Sequence, residues 1–304
     1  VVAPDARSAG PRRDLRREDE SVRRALASIG RQLGTLGLLA VGAAGTPFPL
    51  LGQLRPLDPL DWTAIDGDPG ASLGVGFGFY VGQRASLAGT RGRLMELGVL
   101  HGTWTVGRAA FQLNGAAVRV FRDQSVFAEP VGGTRLGDGG RRVDAGEPRV
   151  STIVRLTEEG GPWDGALRFG VRLPTTDDRE GLERDRTDFF VTVAGRRSAG
   201  PLTATAELGM GVLGTRDTRN EQVDPLLFAL GVSWNALGWL RPGLVAVGQH
   251  DTRRGPEMRG NEDLGEVRLS VSGGEDHWVQ VALVRGWTPF SPDWGVTVQT
   301  GLRH

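Results

Sequence analysis

Residues 294–304 read Trp-Gly-Val-Thr-Val-Gln-Thr-Gly-Leu-Arg-His, and the alternation in this stretch restricts the fold more than any other feature of the chain. Trp294, Val296, Val298, Thr300, Leu302 and His304 fall on one face, and Gly295, Thr297, Gln299, Gly301 and Arg303 on the other. Period-two patterning of this kind belongs to a half-buried β-strand. A strand at the margin of an open sheet exposes a row of unpaired backbone groups, which soluble domains avoid. A closed barrel has no margin. In outer-membrane barrels the outward residues meet lipid and aromatic belts mark the water boundaries. The pattern therefore predicts an all-β protein, a single antiparallel up-and-down transmembrane β-barrel of about twelve strands.

The strand count comes from period-two segments that recur from residue 71 onward, separated by Gly, Pro, Asp and Asn clusters. They lie near 71–83, 92–101, 108–121, 149–157, 165–174, 187–195, 201–212, 226–234, 239–250, 264–272, 277–285 and 293–304. In the clearest, Leu202, Ala204, Ala206, Leu208, Met210 and Val212 oppose Thr203, Thr205, Glu207, Gly209 and Gly211. Connections alternate between short ones (102–107, 158–164, 196–200, 235–238, 273–276) and mostly longer, more charged ones (122–148, 175–186, 213–225, 251–263, 286–292). Bacterial outer-membrane barrels have the same rhythm of short periplasmic turns and longer external loops. Loops 122–148 and 175–186 are expected outside. Trp104, Trp163, Trp234, Trp239, Trp287 and Trp294 fall near strand ends, as interfacial belts require.

Composition removes the competing classes. Hydrophobic content is 39%, and no apolar run is long enough for a helical membrane span, whereas membrane strands hide every second residue from such a scan. The chain has no Cys, so it has neither disulfides nor thiolate metal sites. Thirty-six arginines balance 36 acids, which leaves no basic surplus for nucleic acid. Residues 33–46 form a short apolar run preceded by Arg23, Arg24 and Arg31 and closed by small residues, which resembles a secretory signal cut after Ala43 or Ala44. The domain plan is 1–45 as a signal with an extended leader, 46–70 as a periplasmic segment or plug, and 71–304 as the barrel.

Two stretches resemble a known family. Leu173-Pro-Thr-Thr-Asp-Asp-Arg-Glu-Gly-Leu-Glu-Arg-Asp-Arg-Thr-Asp188 leads into a strand and a glycine-bounded hairpin, and Ser291-Pro-Asp-Trp-Gly-Val-Thr-Val begins the tail. Both are similar to the outer-membrane barrel family named for the meta-pathway of phenol degradation, over roughly residues 150–304 and more loosely from 71. Thr176 stands where that family commonly has glycine, and His304 where it has a terminal aromatic. The resemblance implies passage of small, often hydrophobic, compounds across the outer membrane, and it carries no catalytic residues.

The face opposite the apolar stripe supplies the candidate lumen: Arg155, Arg168, Arg172, Arg241, Arg268 and Arg303, with Glu96, Glu207 and Glu266, and neutral Gln112, Asn114 and Gln299. Either these arginines pair with carboxylates and close the lumen, or they form a constriction that favours anions. Arg168 and Arg172 should project to one side with Arg155 nearby. Trp294, Val296, Val298, Leu302 and His304 form the candidate C-terminal assembly signal. The implied partners are the lipid bilayer, the outer-membrane assembly machinery and a small-molecule solute. No cofactor, metal or nucleic acid is implied.

Catalytic motifs dissolve on inspection. Gly70-Ala-Ser72-Leu-Gly74 matches a nucleophile elbow, but an alternating strand follows it instead of a helix. Gly209-Met-Gly211-Val-Leu-Gly214 matches a dinucleotide fingerprint without the helix that would hold a pyrophosphate. His101, His250, His277 and His304 lack metal-ligand spacing. A passive channel for small solutes, hydrophobic or anionic, is the leading expectation. A barrel enzyme acting on lipid and a non-conducting structural or binding barrel are the alternatives.

Overall fold

The computed structural model describes residues 53–304, apart from 67–69, 129, 131–139, 159–160, 162, 178, 215–221 and 253–261. The expected signal at 1–45 lies outside the described residues.

Twelve antiparallel strands close into a barrel. They are β1 (Ala71–Ala85), β2 (Thr90–Val106), β3 (Ala109–Val126), β5 (Arg149–Arg155), β6 (Asp164–Arg172), β7 (Asp188–Ala199), β8 (Leu202–Gly214), β10 (Leu226–Trp234), β11 (Leu240–His250), β12 (Leu264–Gly273), β13 (His277–Gly286) and β14 (Trp294–Arg303). Two short pieces complete the sheet. The first, β4 (Arg141–Asp144), pairs with β3 above the stretch taken by β5, and the second, β9 (Gln222–Val223), pairs with the end of β8. Closure is made by β1 against β14, from Ser72 opposite Arg303 to Val81 opposite Trp294. Every neighbouring pair is antiparallel, so each strand satisfies its backbone groups on both edges and no side of the wall is left to water or lipid.

The outside of the wall is apolar and accessible: Leu73 is 64% exposed, Leu230 61% and Leu208 57%. So much contiguous apolar surface would drive a soluble protein to associate; here it is the face that lipid covers. Trp104, Trp163 and Trp234 mark its short-turn end, and Trp287 and Trp294 its long-loop end. No helix among the described residues is long and apolar enough to cross a membrane.

One irregularity governs what faces inward. Gly98 has φ +59°, a conformation that costs a side-chain-bearing residue strain, and the β1–β2 register shifts there between Gly76 and Phe77. The extra residue lets Glu96 and His101 share the lumen face although they are five apart, which strict alternation forbids. On β3 the neighbouring Ala117 and Val118 both stay outside, so that Gln112 and Arg119 are both buried inside.

Candidate functional site: a strapped lumen

Residues 53–66 run through the barrel as a strap. At the long-loop end, Gln83 Nε2 donates to the carbonyls of Leu54 and Phe290, each at 2.9 Å. Arg55 lies over the Tyr80 ring at 4.2 Å and donates to Glu266 through Nε and Nη2 at 2.9 and 2.6 Å. Midway, Asp58 Oδ1 accepts from Arg268 Nη1 at 2.6 Å, and Arg168 Nη1 donates to the Asp58 carbonyl at 3.0 Å. Leu60 N donates to Glu207 Oε2 at 2.8 Å. Asp61 meets His101 Nε2 at 3.0 Å, while His101 Nδ1 faces Asn114 Oδ1 at 2.6 Å. At the short-turn end Arg155 donates to the Ile65 carbonyl, and Arg196 bonds Asp66 and sits 4.8 Å over the Trp62 ring.

The strap is fixed by both apolar and charged contacts. Leu60, Trp62, Ala64 and Ile65 pack on Ala110, Ile153, Ala166 and Ala194, and the three alanines are small wall residues that leave room for them. Burial raises the carboxyl pKa of Asp58, but Arg268, Arg149 and Arg55 outweigh it and hold the group well below its ordinary value. Asp61 behaves alike: burial raises it, and the hydrogen bond and charge of His101 bring it down to about 2. Both therefore stay ionised and paired across the physiological range.

A second element closes the long-loop end. Within the loop 173–187, Leu182, Glu183 and Arg184 are fully buried. Leu182 joins Leu54, Tyr80, Leu94 and Phe121 in an apolar cluster inside the barrel. Glu183 pairs with Arg119, and Arg184 Nη2 donates to Asp188 Oδ1 at 2.7 Å. Burial raises the Glu183 carboxyl, yet Arg119, Arg172 and Arg149 together depress it. The expectation that the whole of 175–186 projects into solvent is thus corrected: its middle turns inward, because Leu182 gains apolar partners and the buried arginines need carboxylates.

The expected lumen residues divide into two groups. Arg155, Arg168, Arg172, Glu207, Glu266 and Arg268 are buried or nearly so and ion-paired. Arg168 Nη2 is 2.6 Å from Glu207 Oε1, Arg172 Nε is 2.9 Å from Glu147 Oε2, and Arg268 Nε is 2.9 Å from Glu266 Oε2. Arg155 adds the strap residue Asp66 at 3.2 Å. Arg168 and Arg172 do not form the expected cationic cluster offset only by distant glutamates, since each has a carboxylate in contact. Arg241, Gln299 and Arg303, together with the paired Arg268, line a cavity of about 360 Å3 between the strap and the wall of β1–β3 and β11–β14. Trp239, expected in the outer belt, lines this cavity as well. The cavity is lined by the exposed Trp239 and Arg303 at the short-turn end and by the buried Tyr80, Glu96 and Arg119 deeper in the barrel.

Several participants escaped sequence reasoning. Arg55, Asp58 and Asp61 sit in a proline-punctuated segment without periodicity, where Arg-Pro-Leu-Asp-Pro-Leu-Asp was the only hint. Arg119 and His101 were hidden by the bulge. Trp294, Val298 and Leu302 lie on the outer face of β14, with Val296 less exposed between them and His304 at its end.

Among the described residues no group of side chains could hold a metal ion. Among the described residues the His101 ring meets Asp61 and Asn114, and the His250 ring meets Asp263. A closed barrel with a lipid-facing exterior, interfacial tryptophans and a charged interior defines an outer-membrane β-barrel of porin-like type, in contact with the lipid bilayer.

No family model matches the chain, and no curated protein matches it. Among solved structures, the COG4313 outer membrane channel from Pseudomonas putida F1 is similar with a TM-score of 0.55 and 11% identity, over 82% of this chain and 100% of that one. The outer membrane channel DcaP of Acinetobacter baumannii has a TM-score of 0.40 and 12% identity, over 78% and 96%. The anion-selective porin from Comamonas acidovorans has a TM-score of 0.36 and 13% identity, over 78% and 98%. At these identities the first likeness concerns the fold.

Proposed function

We propose that the protein is a narrow transport barrel through which small solutes, hydrophobic or anionic, cross the outer membrane, with the strap and the inward-turned loop 173–187 setting how often the path is open. The cavity carries this reading. A barrel with a purely structural task would fill its interior, whereas this one keeps about 360 Å3 of charged space beside the strap. Six arginines and four carboxylates line that space, a balance that favours anions. The apolar exterior of β14 supports a role for Trp294, Val296, Val298, Leu302 and His304 as the signal read by the assembly machinery.

Single-channel recording of refolded protein in planar bilayers tests the proposal. The parent should show small, infrequent openings with anion preference. Weakening the strap by Asp58→Asn with Asp61→Asn should raise the open fraction. Silence from both proteins, each migrating as a folded, heat-modifiable band, would leave a non-conducting structural or binding barrel.

A further inference from the structure

We infer that the cavity is a binding site for a small organic carboxylate, whose anionic end meets Arg241 and Arg303 and whose flat apolar body lies along Trp278. The inference deepens the transport reading by naming a ligand class. It needs a water-filled cavity but not conduction.

The inward arginines are unequally partnered. Arg155, Arg168, Arg172 and Arg268 each have a carboxylate in contact. Arg241 and Arg303 line the cavity and have no carboxylate partner among the described residues. The unmatched buried groups agree in kind. Three buried side-chain atoms of cavity-lining residues lack both a hydrogen bond and an ion pair, namely Gln112 Nε2, Arg268 Nη2 and Trp278 Nε1, and all three are N–H donors. The carboxylates that line it already have arginine or histidine partners: Asp58 with Arg268, Asp61 with His101, Glu96 with Arg119 and Glu147 with Arg172. A surplus of N–H donors, beside carboxylates that are all already paired, is the complement of an anion.

The register gathers the groups on one part of the wall. Arg241 is opposite Ser272, Ser272 opposite Gln280, and Gln280 opposite Gln299. Trp278 is opposite Gly301, two residues before Arg303 on the same face. A Cβ built on Gly74 or Gly301 would lie 2.6–2.8 Å from the Trp278 ring, so glycine at both places lets the indole lie flat against the wall. The volume of about 360 Å3 is at the small end of ligand sites, which suits a single-ring acid.

Calorimetric titration of the full, detergent-solubilised barrel with sodium benzoate tests this, with benzamide as the neutral isostere and sodium phosphate as the inorganic anion. Benzoate should bind, and benzamide and phosphate should bind at least roughly tenfold more weakly, the scale of lost charge-assisted hydrogen bonds. Arg241→Gln with Arg303→Gln should lose at least about tenfold for benzoate, while Arg197→Gln, on an exposed arginine outside the cavity, should bind as the parent does. Equal binding of benzoate and benzamide, equal binding of phosphate, an unaffected double variant, or no benzoate heat would each overturn the site. If the barrel conducts but does not bind benzoate, only this inference falls. If it binds without conducting, the transport reading falls and the site remains.

Discussion

Gly98 sets the chemistry of the barrel interior from a single position. Its φ of +59° creates the bulge that turns Glu96 and His101 to the same side, and through them Arg119 and Asp61 find partners. Gly98→Val would force a β-branched side chain into that conformation at a cost on the order of 1–3 kcal/mol. The folded, heat-modifiable fraction should fall, and the Arg119 and His101 contacts should be lost together. The buried pair Arg168–Glu207 makes a second residue-level prediction. Glu207→Ala strands a guanidinium that is only 3% exposed, and breaking such a pair costs about 3–5 kcal/mol. Urea denaturation in detergent should show the loss. Arg168→Glu with Arg172→Glu should likewise reduce folding instead of reversing ion selectivity, because both arginines hold carboxylates and neither lines the cavity.

The strap and the inward loop are elements whose stability follows pH through their acids. Asp58 and Asp61 have folded pKa values below the ordinary 3.8. Such groups add stability above that value and lose it as pH falls through the folded pKa, which for Asp61 is about 2. Channel open probability should therefore not rise through strap release between pH 7 and pH 4, and should rise only as the pH approaches about 2. A rise already near pH 5 would show that these acids do not hold the strap. The loop predicts its own labelling pattern. Arg179 is exposed on the long-loop side and Ala199 at the opposite end, so a membrane-impermeant thiol reagent should modify Arg179→Cys on intact cells and spare Ala199→Cys. The reverse pattern would invert the barrel in its membrane.

At the scale of the whole molecule, closure of β14 on β1 makes the outer face of the tail part of the lipid boundary. Val298→Asp or Leu302→Asp should reduce membrane yield, with a cost up to the roughly 2–4 kcal/mol of a basic residue at mid-bilayer and less for an acid. His304→Phe should assemble at least as well as the parent; normal yield of the Val298→Asp protein would mean that this face does not meet lipid. Twelve strands, their antiparallel order and the inside–outside sorting of most residues were already present in the sequence, because a two-residue period is a local property and lipid on one side against charge on the other writes it into every stave. Arg155, Arg168, Arg172, Glu207, Glu266 and Arg268 could be assigned to the interior on that ground alone. What the period cannot contain is a change of phase, so His101 and Arg119 became visible only once Gly98 was seen to shift the register. Nor does an aperiodic segment announce its partners. Arg55 meets Glu266 across 211 positions of chain, and which arginines are neutralised by the strap and which are left facing a cavity depends on contacts that only three-dimensional closure brings together.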